Sequence, residues 1–222
     1  MIRAAKLLVK IIFWFVGISL ALVLLFKFVP PPVTATMILN GDGITKDWES
    51  LGNIDRNLVT AVIAAEDGKF CSHNGFDQEA IENAIRRNAA GGRIRGGSTI
   101  SQQTAKNVFL WQGGGYFRKG LEAWFTFLIE TVWGKQRIME VYLNVAETGI
   151  GTYGAEAGAQ RYFQHSAARL TKSEAARMAA ALPLPQERSV TNPAGFTRRY
   201  GNTISARMGV VRRGGLDACV YD

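Results

Sequence analysis

Residues 57–77 read NLVTAVIAAEDGKFCSHNGFD, and the first half of this stretch has the spacing of a buried helix. Leu58, Val62 and Ala65 recur at intervals that place them on one face of a helix ending at Glu66. A carboxylate at the end of an apolar helix is partly desolvated, which raises its pKa and makes it a better base. A solvated helix end is the structural alternative, so spacing alone leaves the role of Glu66 open.

Helical patterns dominate the rest of the body. Five further helices are expected, one after Asp77, one each from Thr99 to about Phe109, Phe117 to about Trp133 and Lys135 to Asn144, and one after Thr171 that Pro183 ends. The helix after Asp77 carries Ala80, Ile81, Ala84 and Ile85. A flexible basic loop with Arg93 and Arg95 is expected over residues 91–97. Because alternating strand patterns are almost absent, the body is predicted to be one mainly α domain.

The amino-terminal segment is a candidate membrane anchor. Leu7 to Val29 is an apolar run of 23 residues, whose only charges, Lys10 and Lys27, lie near its ends, and about 20 apolar residues span a bilayer. The bases preceding the run place the amino terminus in the cytoplasm and the body outside. A cleaved signal peptide is the alternative, but no clear small-x-small cleavage site follows the run.

These patterns divide the chain into three parts. Residues 1–29 are the cytoplasmic tip and transmembrane anchor, residues 30–56 are a linker rich in Pro, Gly and Asp that leads into the domain, and residues 57–222 are the domain itself. The chain has 222 residues, enough for one domain of ordinary size with an appendage.

Composition excludes several classes of protein. Hydrophobic residues make up 47% of the chain, which favours a packed core over disorder. The net charge is +8, but half of it lies in residues 1–30, so nucleic-acid binding is not expected. Only two histidines occur, which argues against a histidine-rich metal centre. Cys71 and Cys219 could pair if the body is exported, but their spacing does not decide this.

A second candidate segment is residues 96–107, GGSTISQQTAKN. Glycines let backbone amides approach an anion, and the following helix amino terminus favours phosphate. Thr99, Gln102, Gln103 and Lys106 fall on one helical face and form a polar stripe with a cation. The segment lacks the ending of a nucleotide-binding P-loop. A glycine-rich turn followed by an ordinary surface helix remains the alternative.

Two further segments carry charges at helical spacing. Arg118 and Glu122 are four residues apart, a spacing typical of a plain surface ion pair worth tenths of a kcal/mol. Residues 135–144, KQRIMEVYLN, indicate a helix with one packed and one polar face. Taken alone, both segments favour structural roles. The same holds for Glu147, Glu156 and His165.

In this order, the four segments resemble the peptidoglycan polymerases of glycosyltransferase family 51. The resemblance rests on Glu66-Asp67-x-x-Phe70-x-x-His73-x-Gly75-Phe76-Asp77, Gly96-Gly97-Ser98-Thr99-Ile100-x-Gln102-Gln103-x-x-Lys106-Asn107, Arg118-Lys119-x-x-Glu122 and Lys135-x-x-Ile138-x-Glu140-x-Tyr142-Leu143-Asn144. It covers about residues 45–210. Ser101, Thr104 and Cys71-Ser72 depart from the family pattern without removing a reactive group. The absence of Ser-x-x-Lys and Lys-Thr-Gly indicates the monofunctional branch.

The resemblance implies a lysozyme-like helical fold and an inverting glycosyl transfer that polymerises lipid II into β-1,4-linked glycan. Glu66 would be the general base, and Lys106, Arg118 and Lys119 would stabilise the pyrophosphate leaving group. Glu122 would orient these cations or help to hold a divalent ion, Mg²⁺ or Mn²⁺. The remaining residues that the resemblance assigns to substrate binding are Asp67, Phe70, His73, Ser98, Thr99, Gln102, Gln103, Asn107 and Lys135.

The expected location is the bacterial inner membrane, with a single-pass anchor and a periplasmic catalytic domain. The expected partners are lipid II, the growing glycan chain, membrane lipid and proteins of the division or elongation machinery. Two other functions stay open. A lytic muramidase would share the fold and a catalytic glutamate, but it needs no phosphate-binding cations, and a non-catalytic membrane scaffold would not need the intact acids. The identity of the metal, the glycan length and the oligomeric state are not predicted.

Overall fold

The computed structural model describes residues 2–89 and 97–221. Its helices are α1 (Ile2–Phe28), α2 (Ala35–Asn40), α3 (Arg56–Glu66), α4 (Gln78–Ala89), α5 (Ile100–Phe109), α6 (Gly115–Val132), α7 (Lys135–Val145), α8 (Ala155–Phe163), α9 (Lys172–Ala181), α10 (Gly195–Arg213) and α11 (Ala218–Tyr221). The strands are β1 (Thr45–Lys46), β2 (Glu147–Gly149) and β3 (Thr152–Tyr153). The prediction of a mainly α domain is confirmed.

The five helices expected from capping and periodicity are all present, within about two residues of their expected ends. Thr99 and Thr171 each form a capping box, with Gln102 and Glu174 respectively. Helices α2, α8, α10 and α11 and the three short strands were not predicted from the sequence. The side chain of Ile85 and the expected basic loop, apart from Gly97, lie outside the described residues.

Helix α3 forms the centre of the domain. Asp55 caps its amino terminus by accepting a hydrogen bond from the backbone N–H of Asn57 at 2.7 Å. Every residue from Leu58 to Ala64 is buried, because α9 and α10 pack against this helix. A second layer, in which α5 packs against α6 and α7, lies beside it. Because α3 ends at Glu66, the acid stands where the buried helix leaves the core.

The predicted linker, residues 30–56, contains α2, β1 and a short 3₁₀ turn at Leu51–Asn53. Strand β1 pairs in parallel with β3, and β3 pairs antiparallel with β2, which gives the sheet order β1-β3-β2. The hydroxyl of Thr36 in α2 donates to the carbonyl of Leu110 at 3.2 Å. This segment is therefore joined to the domain by backbone pairing and by a buried hydrogen bond.

Helix α1 is long and apolar enough to span a membrane, the only such helix in the described part of the chain. Most of its side chains are exposed, but its second half packs against α6. The indole N–H of Trp133 donates to the carbonyl of Val23 at 2.7 Å. The guanidinium of Arg137 donates to the carbonyls of Phe26 at 2.8 Å and Val29 at 3.1 Å. Helix α1 is therefore attached to the domain by side-chain contacts as well as by the chain.

Cys71 and Cys219 form a disulfide, which answers the question that their spacing left open. Cys71 lies in a 3₁₀ turn, Phe70–Ser72, between Glu66 and His73, whereas Cys219 belongs to α11 at the carboxyl end. The bond links residues 148 positions apart in the sequence. It therefore ties the turn that follows α3 to the last helix of the domain.

Removing this disulfide should lower the melting temperature by about 5 to 15 °C, because a cross-link closing so long a loop restricts the unfolded chain. The test is thermal denaturation of Cys71→Ser/Cys219→Ser in detergent, followed by circular dichroism. Reductant should lower the melting temperature of the wild type and leave that of the double variant unchanged. Equal melting temperatures for both proteins would contradict the prediction.

Candidate active site

Glu66 is the acid with the strongest geometric case for proton transfer. Its Oε2 accepts a hydrogen bond from Nε2 of Gln103 on α5 at 2.9 Å. Its Oε1 is buried without a hydrogen-bond partner among residues 2–89 and 97–221. Burial raises the pKa of this carboxyl, while the Gln103 hydrogen bond and the positive charge of Arg188 oppose that rise. Glu66 therefore has one fixed oxygen and one oxygen free to take a proton.

Asp67 and His73 join the end of α3 to the start of α5. The backbone N–H of Gly75 donates to Nδ1 of His73 at 3.1 Å. The other ring nitrogen, Nε2, therefore carries a proton and donates a hydrogen bond to Oδ1 of Asp67 at 3.0 Å. The Asp67 carboxylate also accepts from the backbone N–H of Ile100 at 3.0 Å. Both side chains are largely buried. Their contacts fix the position of the Glu66 end of α3 relative to α5.

Thr99 and Gln102 are engaged at the amino terminus of α5. The Thr99 hydroxyl donates to the carbonyl of Gly75 at 2.7 Å and accepts from the backbone N–H of Gln102 at 3.1 Å. The Gln102 side chain accepts from the backbone N–H of Thr99 at 3.0 Å. Both residues are buried. Their predicted substrate contacts stay a prediction, whereas their capping role is observed.

Three cations and a buried acid gather where α5 meets α6. Glu122 is 2% exposed, and its carboxylate accepts from Arg118 Nη1 at 2.5 Å and from Lys119 Nζ. Lys119 Nζ also donates to the hydroxyl of Ser98 at 3.2 Å. The expectation of a plain surface ion pair between Arg118 and Glu122 is wrong, because packing of α6 on α5 buries the carboxylate. Glu122 therefore holds two positive groups together.

Lys106 is the third cation of this cluster. Burial lowers its pKa, with the positive charges of Arg118 and Lys119 acting in the same direction and Glu122 opposing them. Its Nζ donates to the side-chain carbonyl of Gln112 at 3.2 Å. A desolvated ammonium beside two other cations gains from the arrival of an anion, so this region is suited to bind a phosphate group.

Two adjoining cavities contain Glu66 and Lys106, whereas Arg118, Lys119 and Glu122 line neither of them. The cavity beside Glu66 has a volume of about 970 Å³ and includes Ser98 and Arg188 in its lining. The cavity beside Lys106 has a volume of about 340 Å³ and includes Asn107. Four residues line both of them, namely Gln103, Pro183, Leu184 and Glu187. Glu66 and Lys106 therefore occupy two parts of one cleft, with Gln103 at the boundary.

Phe70 and Lys135 lie outside both cavity linings. Phe70 is fully buried, and the ammonium of Lys135 lies 4.6 Å from the centre of its ring. Lys135 also donates to Glu130 at 2.6 Å, and Glu130 accepts from Ser101 at 2.5 Å. These contacts join α5, α6 and α7. A substrate contact of Phe70 or Lys135 stays a prediction, while their observed contacts are structural.

Arg188 and Tyr200 were not predicted as site residues from the sequence. Arg188 follows the prolines that end α9, and Tyr200 lies on α10, which no motif indicated. Both residues line the cavity that contains Glu66. A weak signal was available in Phe196 and Tyr200, which are four residues apart and therefore share one face of a helix.

The fit of a divalent ion depends on Glu122. Among the described residues, no group of three or more His, Cys, Asp or Glu side chains could hold a metal. Glu122 already accepts from Arg118 and Lys119, so its oxygens are occupied by two cations. The side chains described here do not by themselves form a metal site, and the divalent ion stays a prediction.

Comparison with known proteins identifies the family. A model of the family described as transglycosylase matches residues 34–209. Three proteins named biosynthetic peptidoglycan transglycosylase are similar to this chain along most of their length. The protein from Caulobacter vibrioides is 55% identical, and the match covers 89% of this chain and 88% of the relative. The protein from Pseudomonas putida is 49% identical with 92% of this chain and 87% of the relative covered, and the protein from Rhodospirillum centenum is 48% identical with 93% and 92% covered, respectively. These matches confirm the resemblance inferred from the four motifs. The chain belongs to the transglycosylase family.

Proposed function

We propose that this protein is a peptidoglycan glycosyltransferase that polymerises lipid II into glycan strands for the cell wall. The observation that carries the proposal is the divided cleft, with the unpaired oxygen of Glu66 on one side of Gln103 and Lys106, next to Arg118 and Lys119, on the other. A glycosyl transfer between lipid-linked sugars needs a base for the acceptor hydroxyl and positive charge for the pyrophosphate. The names of the curated relatives support the same reaction class.

Glu66 acts as the general base. Its Oε1 takes the proton of the 4-hydroxyl on the acceptor sugar while the hydroxyl oxygen forms a bond to the anomeric carbon of the growing chain. The bond from the anomeric carbon to the lipid pyrophosphate breaks, and the pyrophosphate leaves with the electron pair. Attack from the opposite face converts an α-linked phosphate into a β-1,4 bond. Gln103 holds the other oxygen of Glu66 during this step.

Lys106, Arg118 and Lys119 stabilise the leaving pyrophosphate. A pyrophosphate is already a stable anion, so charge neutralisation matters more for its departure than protonation does. Glu122 keeps Arg118 and Lys119 in place through the two ion pairs, and Ser98 adds a hydrogen bond to Lys119. A lytic muramidase would have no use for this cluster. A divalent ion, if the reaction requires one, would add charge neutralisation at the phosphates.

The anchor α1 holds the domain at the inner membrane, with its amino terminus in the cytoplasm and the domain in the periplasm. The bases before the apolar run support this orientation. The Cys71–Cys219 disulfide supports it as well, because disulfides persist in oxidising compartments outside the cytoplasm. Lipid II then reaches the cleft from the same membrane. Contacts with division or elongation proteins stay a prediction.

The test is an assay of the full chain, purified in detergent, with labelled lipid II and gel separation of the products. Long chains that muramidase degrades are the expected result. A parallel sample with EDTA and then with Mg²⁺ or Mn²⁺ returned measures the predicted dependence on a divalent ion. Clearing of purified sacculi without chain formation would favour the muramidase. No reaction from a folded wild type would favour the scaffold.

A further inference from the structure

Glu66 presents an electrostatic problem that the catalytic groups alone do not solve. A general base must be ionised before it can take a proton, but burial disfavours the charge on this carboxylate. A direct ion pair would favour the charge at the cost of occupying the oxygen that has to accept the proton. In the described part of the chain, Oε1 has no such partner. A cation placed across the cavity would favour ionisation and leave Oε1 free.

Arg188 is a cation placed across the cavity from Glu66 in this way. It lines the same cavity as Glu66, and no hydrogen bond joins the two side chains within the described residues. Its Nη1 donates at 2.8 Å to the carbonyl of Ala180, in the last turn of α9. Carbonyls in that turn lack helical partners and favour a positive charge. The guanidinium is therefore fixed by the end of a core helix.

Two aromatic rings also hold Arg188. The centre of its guanidinium lies 5.2 Å from the ring of Phe196 and 5.9 Å from that of Tyr200, and these two rings stack on each other. The Tyr200 hydroxyl donates to the carbonyl of Ala65 at 2.8 Å, one residue before Glu66. Arg188, the rings and the end of α3 are therefore joined by a series of short contacts.

Other charged or ionisable groups also face Glu66. Asp67 follows it in the chain, Lys106 lies on α5, Tyr142 on α7, Tyr200 on α10, and Glu187 and Arg207 line the same cavity as Arg188. Asp67 disfavours a charge on Glu66, whereas Lys106 favours it with less effect than Arg188. Arg207 is exposed to solvent, which screens its charge. Arg188 is half-buried and fixed by its contacts with Ala180 and Phe196, so its charge is screened less by solvent than that of Arg207.

We propose that Arg188 is a positioning residue for this reaction, whose charge favours the carboxylate form of Glu66 from across the cavity without pairing with the oxygen that has to accept the proton. The proposal rests on the proposed function, because it assigns Arg188 to the base of that reaction. Loss of this charge should make Glu66 harder to ionise. When the pH is lowered, the activity that depends on the Glu66 carboxylate should therefore decline at a higher pH than in the wild type.

The test is the pH profile of kcat/KM for lipid II polymerisation by the full chain in detergent. Arg188→Gln should move the acidic limb upward by about 0.5 to 1 pH unit. At pH values below the acidic limb, kcat/KM of Arg188→Gln should be about 3- to 10-fold lower than that of the wild type, and this difference should shrink toward high pH. Arg188→Lys, which returns the charge, should restore most of the wild-type profile. Arg198→Gln, on the same helix as Tyr200 but outside the cavity lining, is the matched control.

A purely structural role would reduce the rate equally at every pH and lower the melting temperature. An unchanged acidic limb in folded Arg188→Gln would therefore overturn the proposal. If that variant does not fold, Thr203→Lys adds a cation to the same cavity from an exposed position, and its acidic limb should move downward. An unmoved limb there would count against the proposal in the same way. A wild type that makes no chains would instead reject the proposed function itself.

Discussion

Glu66→Gln should reduce the rate of lipid II polymerisation by about 10²- to 10⁴-fold, the range for loss of a general base. Glutamine has nearly the same shape and can still accept the hydrogen bond that Gln103 donates to Oε2. It cannot take a proton at neutral pH. The loss should therefore fall on kcat, with little change in lipid II binding. The measurement is single-turnover and steady-state formation of labelled glycan chains.

The matched control for this variant is Glu82→Gln. Glu82 is an exposed acid that forms an ion pair with Arg86 on α4, and it does not line the cleft. Both variants should melt within about 2 °C of the wild type, because surface changes and isosteric changes usually have small effects on stability. A Glu66→Gln protein that polymerises at more than a tenth of the wild-type rate would remove Glu66 from the role of base.

The local features of the fold could be predicted from the sequence. Capping boxes at Thr99 and Thr171 depend on residues three positions apart, so the chain itself specifies where α5 and α9 begin. The apolar spacing that ends at Glu66 likewise predicted α3 and placed the acid at its end. The small sheet could not be predicted, because β1 and β3 are two residues each and are paired across about a hundred positions of sequence.

The candidate site was only partly predictable for the same reason. Spacing indicated that Arg118 and Glu122 would meet on one helix, but not that α5 would bury the carboxylate and bring Lys119 to it. Motif order associated Lys135 with the substrate, whereas packing pairs its ammonium with Glu130. Arg188 reaches the cleft through contacts with the end of α9 and with α10. Each of these outcomes depends on which helices become neighbours.

Lys106→Ala should reduce kcat/KM for lipid II by about 10²- to 10³-fold, because a transition state that gains charge would lose a desolvated cation. Arg118 and Lys119 are already neutralised in part by Glu122, which makes Lys106 the cation most available to the substrate. Its environment supports this assignment, since burial lowers its pKa and an incoming pyrophosphate would restore the preference for the charged form.

The experiment that tests this role compares three variants with the wild type and uses one inhibitor, inorganic pyrophosphate. Lys106→Arg should retain more activity than Lys106→Ala, because it keeps the charge but changes its geometry. Lys172→Ala, at the exposed start of α9, should match the wild type. Inorganic pyrophosphate should inhibit the wild type more strongly than Lys106→Ala. If both proteins are inhibited equally, Lys106 does not contact the pyrophosphate, and Arg118 and Lys119 become the groups that stabilise the leaving anion.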